Sequence, residues 1–166
     1  MSEVHSLTFA DILAAHERIA PHIVRTPSIR CAALSKMTGA DIWLKLENLQ
    51  AVASFKERGA ANKLALLSEE EKKRGVIAVS AGNHSQGVAR HASLLGIDAT
   101  IVMPRHTPSA KVERTRGWGA RVVTEGEDFA EAPRLRKCCA NGKVWFWSIP
   151  SMTSPSWRDR ARSPSN

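Results

Sequence analysis

The chain has 166 residues, with 24 lysines and arginines against 16 aspartates and glutamates, and a formal net charge of +8. That length suffices for one domain with a buried core, and no run approaches the roughly 20 apolar residues that a membrane-spanning helix requires. Residues 133–166 carry a net charge of +6 and the first 132 residues only +2, so the basic character belongs to the tail. A basic chain invites a nucleic-acid reading, but a charge confined to one end makes neither a nucleic acid nor a membrane an expected partner. Met1 to Phe9 has neither the basic start nor the apolar stretch of a secretion signal, and the three cysteines lack metal-ligand spacing. A reducing, cytoplasmic location and no bound metal are therefore expected.

Thr8 followed by Asp11 predicts a helix start, and Phe9, Ile12, Leu13 and Ile19 recur at helical spacing until Pro21 stops the run. Arg25-Thr26-Pro27-Ser28 should be extended, because proline biases its predecessor away from the helical region. A short helix over Ala32 to Met37 closes at Gly39, and Ile42 to Glu47 alternates like a half-covered strand. Ala60, Ala61, Leu64 and Leu67 then mark a third helical pattern, and Ser68 with Glu71 forms a capping box before Gly75. Three strands separated by two helices follow. Strands are expected over Val76 to Val79, Ala99 to Met103 and Arg121 to Val123, with helices over His84 to Leu95 and Pro108 to Arg116 between them. Thr107 before Pro108 reads as a helix start with proline at the first position. Such alternation predicts parallel strands with helices across them.

Two stretches carry chemistry. In Ala53-Ser54-Phe55-Lys56-Glu57-Arg58-Gly59-Ala60 a lysine sits where an extended segment gives way to a helix. A helix N-terminus is partly positive and disfavours a cation, so an imine-forming lysine suits the place better than a solvated one. In Ser80-Ala81-Gly82-Asn83-His84-Ser85-Gln86-Gly87 small residues link an apolar strand to a helix. Backbone N–H groups there can converge on a carboxylate or phosphate, although the spacing is neither a dinucleotide fingerprint nor a nucleoside triphosphate loop.

Together these stretches resemble the signatures of the pyridoxal-phosphate-dependent serine/threonine dehydratases, the threonine ammonia-lyases of fold type II. The resemblance covers most of Thr8 to about Glu131 and includes Arg25-Thr26-Pro27 and Leu44-Lys45-Leu46-Glu47-Asn48-Leu49-Gln50. Ala51-Val52-Ala53 departs from it, standing where many relatives have hydroxyl residues or glycine. The resemblance implies an α/β fold: a parallel three-layer sheet with helices, the incomplete N-terminal part of a tryptophan-synthase-β-like enzyme. Residues 1–132 would belong to it, with a smaller domain within about 50–125.

It also implies that Lys56 holds pyridoxal phosphate covalently, that Phe55 packs beside the ring and that Asn83 hydrogen-bonds its phenolic oxygen. Ser80, Ala81, Gly82, Asn83 and His84 would receive the substrate carboxylate. The implied reaction is dehydration and deamination of L-threonine to 2-oxobutanoate, or of L-serine to pyruvate, with release of ammonia. Serine racemase, hydroxyaspartate ammonia-lyase and β-replacement enzymes share the motifs and stay open. Full-length members are expected to be homo-oligomers.

After about Ala132 the pattern changes. Three of five tryptophans, Cys138 and Cys139, and four of eight prolines crowd into residues 133–166, a composition that a disordered basic arm would avoid. Read from the third nucleotide of each codon, Trp145-Phe146 must encode valine and Met152-Thr153 must encode aspartate. Permitted synonymous codons extend this to HPFDD and AGQGT segments similar to those of dehydratases. The tail is accordingly expected to be a frameshifted continuation, and the chain as given to be inactive or nearly so.

Overall fold

The computed structural model describes residues 7–127 and 143–146. Helix α1 (Phe9–Ile19) begins with a reciprocal cap, Thr8 Oγ1 accepting the Asp11 N–H while Asp11 Oδ2 accepts the Thr8 N–H at 2.8 Å. A 3-10 turn over Ala20–His22, with Pro21 near its start, ends it. Strands β1 (Ser28–Arg30) and β2 (Trp43–Lys45) pair antiparallel around α2 (Ala32–Thr38), which stops at Gly39 with φ of 71°. Strand β2 is shorter than the alternation of Ile42 to Glu47 predicts. Glu47–Leu49 turn instead into a 3-10 segment, and the Glu47 side chain bonds to Thr26 and Arg58.

The rest is the expected alternation: α3 (Lys56–Ala65), α4 (Glu69–Arg74), β3 (Val76–Val79), α5 (Asn83–Leu94), β4 (Ala99–Met103), α6 (Ser109–Gly117) and β5 (Arg121–Thr124). A four-stranded parallel sheet runs in the order β5-β4-β3-β6, where β6 is Val144–Phe146. Every residue of β3 and β4 is buried, which is why these strands read as continuous apolar runs and not as alternation. One sheet face, with Val76, Ala78, Ile101 and Met103, meets Leu64 of α3 and Val88 and Ala92 of α5. Ile77, Val79 and Val102 form a smaller cluster on the other face.

Two expectations need correction. Helix α6 begins at Ser109 and not at Pro108, because Pro108 keeps an extended ψ of 134° and becomes the cap itself. Thr107 therefore caps nothing, and its buried Oγ1 has no hydrogen-bond partner among the described residues. In the tail, where apolar periodicity fails, Val144–Phe146 still adds a strand beside β3. Three β-favouring residues in a row suffice next to a wholly apolar strand. The remainder of residues 133–166 lies outside the described residues.

A polar scaffold holds the start of α3. Arg58 binds Glu47 through two parallel bonds of 2.8 Å, and Thr26 Oγ1 donates to the same carboxylate at 2.6 Å. Gln50 brackets the backbone of Val24, accepting its N–H at 3.0 Å and donating to its carbonyl at 2.8 Å. Lys45 Nζ donates to the Thr26 carbonyl. The Arg25-Thr26-Pro27 segment and the Leu44 to Gln50 motif are thus two sides of one joint.

The Arg58 bonds, with Thr26 and Gln50 assisting against a desolvation cost, hold the Glu47 carboxyl down at about 2. The carboxylate form therefore stabilises the fold above the ordinary value of 4.5, and that contribution is lost as pH falls through about 2. Arg58→Ala should destabilise the protein by about 2 kcal/mol at neutral pH. In urea unfolding measured across pH, the gap between variant and parent should close between pH 4.5 and about 2.

Candidate active site

Lys56 is the first residue of α3. Its backbone N–H donates to Ser54 Oγ at 3.3 Å, and the Ser54 and Phe55 carbonyls accept the N–H groups of Glu57 and Arg58. The loop thus winds into the helix through its own backbone. The Lys56 ammonium lies 5.1 Å from the centroid of the Phe55 ring, whose side chain is itself exposed. Among the described residues no carboxylate pairs with Lys56 Nζ. A half-buried amine facing an aromatic ring and free of an ion pair is available for covalent chemistry.

The second stretch follows β3 directly. Ser80 is buried at the C-terminal end of that strand, its N–H bonded to the Val102 carbonyl of β4. Ser80 Oγ accepts the Gly82 N–H at 3.3 Å, and Ser85 Oγ donates back to the Gly82 carbonyl at 2.6 Å, which closes the Ser80–Gly82 turn and starts α5 at Asn83. No side chain caps that helix start, and the Asn83 side chain is exposed. The C-terminal ends of parallel strands are where open α/β sheets bind ligands.

The two stretches are brought together by helix packing. Helix α5 lies along α3, and a Cβ built on Gly87 would stand 3.4 Å from the Ala60 Cβ, 3.4 Å from the Glu57 Cα and 3.5 Å from the Lys56 carbonyl oxygen. Burial, and secondarily the Lys56 charge, push His84 down to about 4, so its ring is neutral at physiological pH. Its Nε2 is buried without a hydrogen-bond partner among the described residues. A buried nitrogen without a partner calls for a further polar group, and a ligand in this turn would supply one. The sequence-based site residues Phe55, Lys56 and Ser80 to His84 therefore share one region.

Sequence reasoning gave no role to Glu57, which is fully buried. Its Oε1 accepts from Arg90 Nη1 at 2.5 Å and lies 3.1 Å from His91 Nε2, while Oε2 accepts the Val52 N–H at 3.1 Å. Arg90 also donates to the His22 carbonyl and lies over the Trp118 ring. Burial pushes His91 down despite the opposing pull of Glu57, with Arg90 adding to the fall. The signal for Glu57 was its place: a carboxylate adjacent to the lysine of interest, one helical turn before the buried Ala60 and Ala61. A cleft of about 400 Å³ lined by Val52, Ala53, Gln86, Arg114 and Trp118 opens beside this loop, but neither Lys56 nor the Ser80–His84 turn reaches it. Among the described residues no group of three or more histidines, cysteines or carboxylates could hold a metal, and no helix is long and apolar enough to cross a membrane.

Residues 19–156 match the family described as pyridoxal-phosphate dependent enzyme. The L-threonine ammonia-lyase of Thermotoga maritima is 53% identical over 126 residues, which cover 76% of this chain and 31% of that enzyme. The catabolic L-threonine dehydratase of Staphylococcus aureus is 50% identical over 132 residues, 79% of this chain and 38% of the relative. The chain thus spans about a third of the length of these curated relatives. Among solved structures, maize serine racemase superposes with a TM-score of 0.78 at 32% identity, over 89% of this chain and 45% of that one. Threonine deaminase isoform 2 of Solanum lycopersicum gives 0.70 at 34%, over 87% and 41%. A family match over most of the chain makes this protein a member of the pyridoxal-phosphate-dependent enzymes.

Proposed function

We propose that the protein to which this chain belongs dehydrates and deaminates L-threonine, and L-serine with it, using pyridoxal phosphate on Lys56. The observation that carries this reading is Lys56, paired with no carboxylate among the described residues and acting by its charge on His84 of the Ser80–His84 turn, in a chain 53% identical over 126 residues to an L-threonine ammonia-lyase. Lys56 Nζ would hold the cofactor, Phe55 would pack beside its ring and Asn83 would present its amide to the ring's phenolic oxygen. When bound, pyridoxal phosphate supplies an electron sink that makes the substrate Cα proton acidic.

The Ser80–Ala81–Gly82–Asn83–His84 turn would receive the substrate carboxylate on those of its backbone N–H groups that Val102 and Ser80 do not already accept, reinforced by the start of α5. That anchoring fixes the Cα–H bond relative to Lys56 Nζ. Lys56 Nζ would take the Cα proton as a general base. The β-hydroxyl departs as water and hydrolysis takes up a water, so threonine yields 2-oxobutanoate and ammonia with no net change in water. Neutral His84 keeps positive charge from accumulating next to Lys56, whose amine must give up a proton to act. A racemase reading draws on the likeness to maize serine racemase; there the Cα proton would be returned to the opposite face and the hydroxyl kept. We also propose that residues 133–166 are a shifted reading of the same gene, which sequencing of the encoding DNA decides.

Incubation with pyridoxal phosphate, borohydride reduction and peptide mapping should place the label on Lys56, and Lys56→Ala should abolish it. Label on another lysine would end the assignment. Chromatography of products from threonine, serine and 3-hydroxyaspartate separates 2-oxo acids from an inverted amino acid.

A second expectation concerns acid. His84 is held low in the folded protein, so its neutral form contributes stability above about 6.5 that is lost as pH falls through about 4. His84→Gln should remove that dependence. Across this interval the parent should lose on the order of 3 kcal/mol relative to the variant in denaturant titrations.

A further inference from the structure

Among the described residues Ala53 is the one residue other than glycine with a positive φ, 54°. A side chain disfavours that left-handed region, and the resemblance places glycine or hydroxyl residues at Ala51-Val52-Ala53 in many relatives. Something must hold the turn. The Ala53 N–H bonds to the Gln50 carbonyl at 2.8 Å, and one residue earlier the Val52 N–H is taken by Glu57 Oε2 at 3.1 Å. Glu57 is fully buried and is itself fixed from the other side by Arg90 and His91 of α5. Arg90 is in turn tied to the His22 carbonyl and the Trp118 ring.

We propose that Glu57 is a positioning residue for Lys56: its carboxylate latches the Val52–Ala53 turn in the left-handed form and so sets where the adjacent Lys56 amine points. The inference concerns the chain's own geometry, and its bearing on catalysis rests on the proposed role of Lys56. Without the latch, Ala53 relaxes to an ordinary φ and the loop entering α3 shifts, carrying Phe55 and Lys56 with it. With glycine at position 53 the left-handed turn has no side-chain penalty, so it persists whether or not Glu57 holds Val52. The latch and the strain are therefore coupled, which a purely structural role of Glu57 between α3 and α5 does not require.

The test uses the full 166-residue chain in four forms: parent, Glu57→Ala, Ala53→Gly and the double variant. Hydrogen exchange of the Val52 amide and the rate at which a neutral acetylating ester modifies Lys56 are read as functions of pH, and exchange of Val76–Val79 reports that the sheet is intact. Glu57→Ala should speed Val52 exchange roughly tenfold or more, the size of the lost bond, and change the Lys56 rate and its pH profile. Adding Ala53→Gly should return the Lys56 rate toward the parent value, although Ala53→Gly alone leaves that rate unchanged. Should Glu57→Ala fail to fold, Glu57→Gln carries the same cycle, because its amide oxygen accepts the Val52 N–H more weakly than a carboxylate does. Unchanged Val52 protection, or an Ala53→Gly effect of equal size in both backgrounds, overturns the proposal. Neither readout involves pyridoxal phosphate, so a label away from Lys56 would sink the enzymatic reading and leave the latch standing, and the reverse holds as well.

Discussion

The close approach of α3 and α5 is the constraint on which the site depends. Lys56 opens one helix and the Ser80–His84 turn opens into the other, and no local interaction links the two stretches in sequence. They meet because Gly87 leaves room for Ala60 and for the backbone of Lys56 and Glu57 to lie within van der Waals contact. A branched side chain at that place would press on the Lys56 carbonyl and push apart the groups that must cooperate. Apolar packing beneath, from Leu64, Val88 and Ala92 onto Val76 and Ile101, fixes the depth of both helices on the sheet.

On this apolar base a polar frame sets direction. Glu47 with Arg58 and Thr26 joins the segment after α1 to the first turn of α3, and Glu57 with Arg90 joins the lysine loop to α5. Buried or half-buried charge-assisted bonds of this kind are directional in a way that aliphatic contacts are not. Lys56 pairs with neither carboxylate. Both are taken up by arginines, and the lysine amine is left over.

This division explains what the sequence could and could not disclose. Strands β3 and β4 were legible to the residue, because both faces are buried and the text is an uninterrupted run of β-branched and apolar side chains. The caps at Thr8 and Ser68 were legible because a capping box is a local device. Thr107 misled for the opposite reason: the local signal was present, but the ψ of Pro108 moved the helix start beyond the hydroxyl's reach. Lys56 and the Ser80–His84 turn were legible as motifs. Glu57 and Arg90 were not, since their meaning lies in a contact between residues 33 positions apart that no periodicity encodes. The left-handed Ala53 was equally hidden, because an alanine gives no warning of the conformation that a glycine would announce.

The electrostatics of the site follow from this arrangement and bear on its substrate class. Two helix starts, one led by Lys56 and the other uncapped by any side chain, open the two stretches, and among the described residues no carboxylate is bonded to Lys56 Nζ. Burial is the main cause that holds His84 neutral, and the Lys56 charge adds to it in opposing protonation. An anionic group entering the Ser80–His84 turn meets backbone N–H groups, the positive ends of helix dipoles and a nearby ammonium at once. A cationic or neutral ligand gains none of these. On the proposed reading, an amino acid, which presents a carboxylate and an amine on one carbon, would be held by the first at the turn with the second directed toward the lysine.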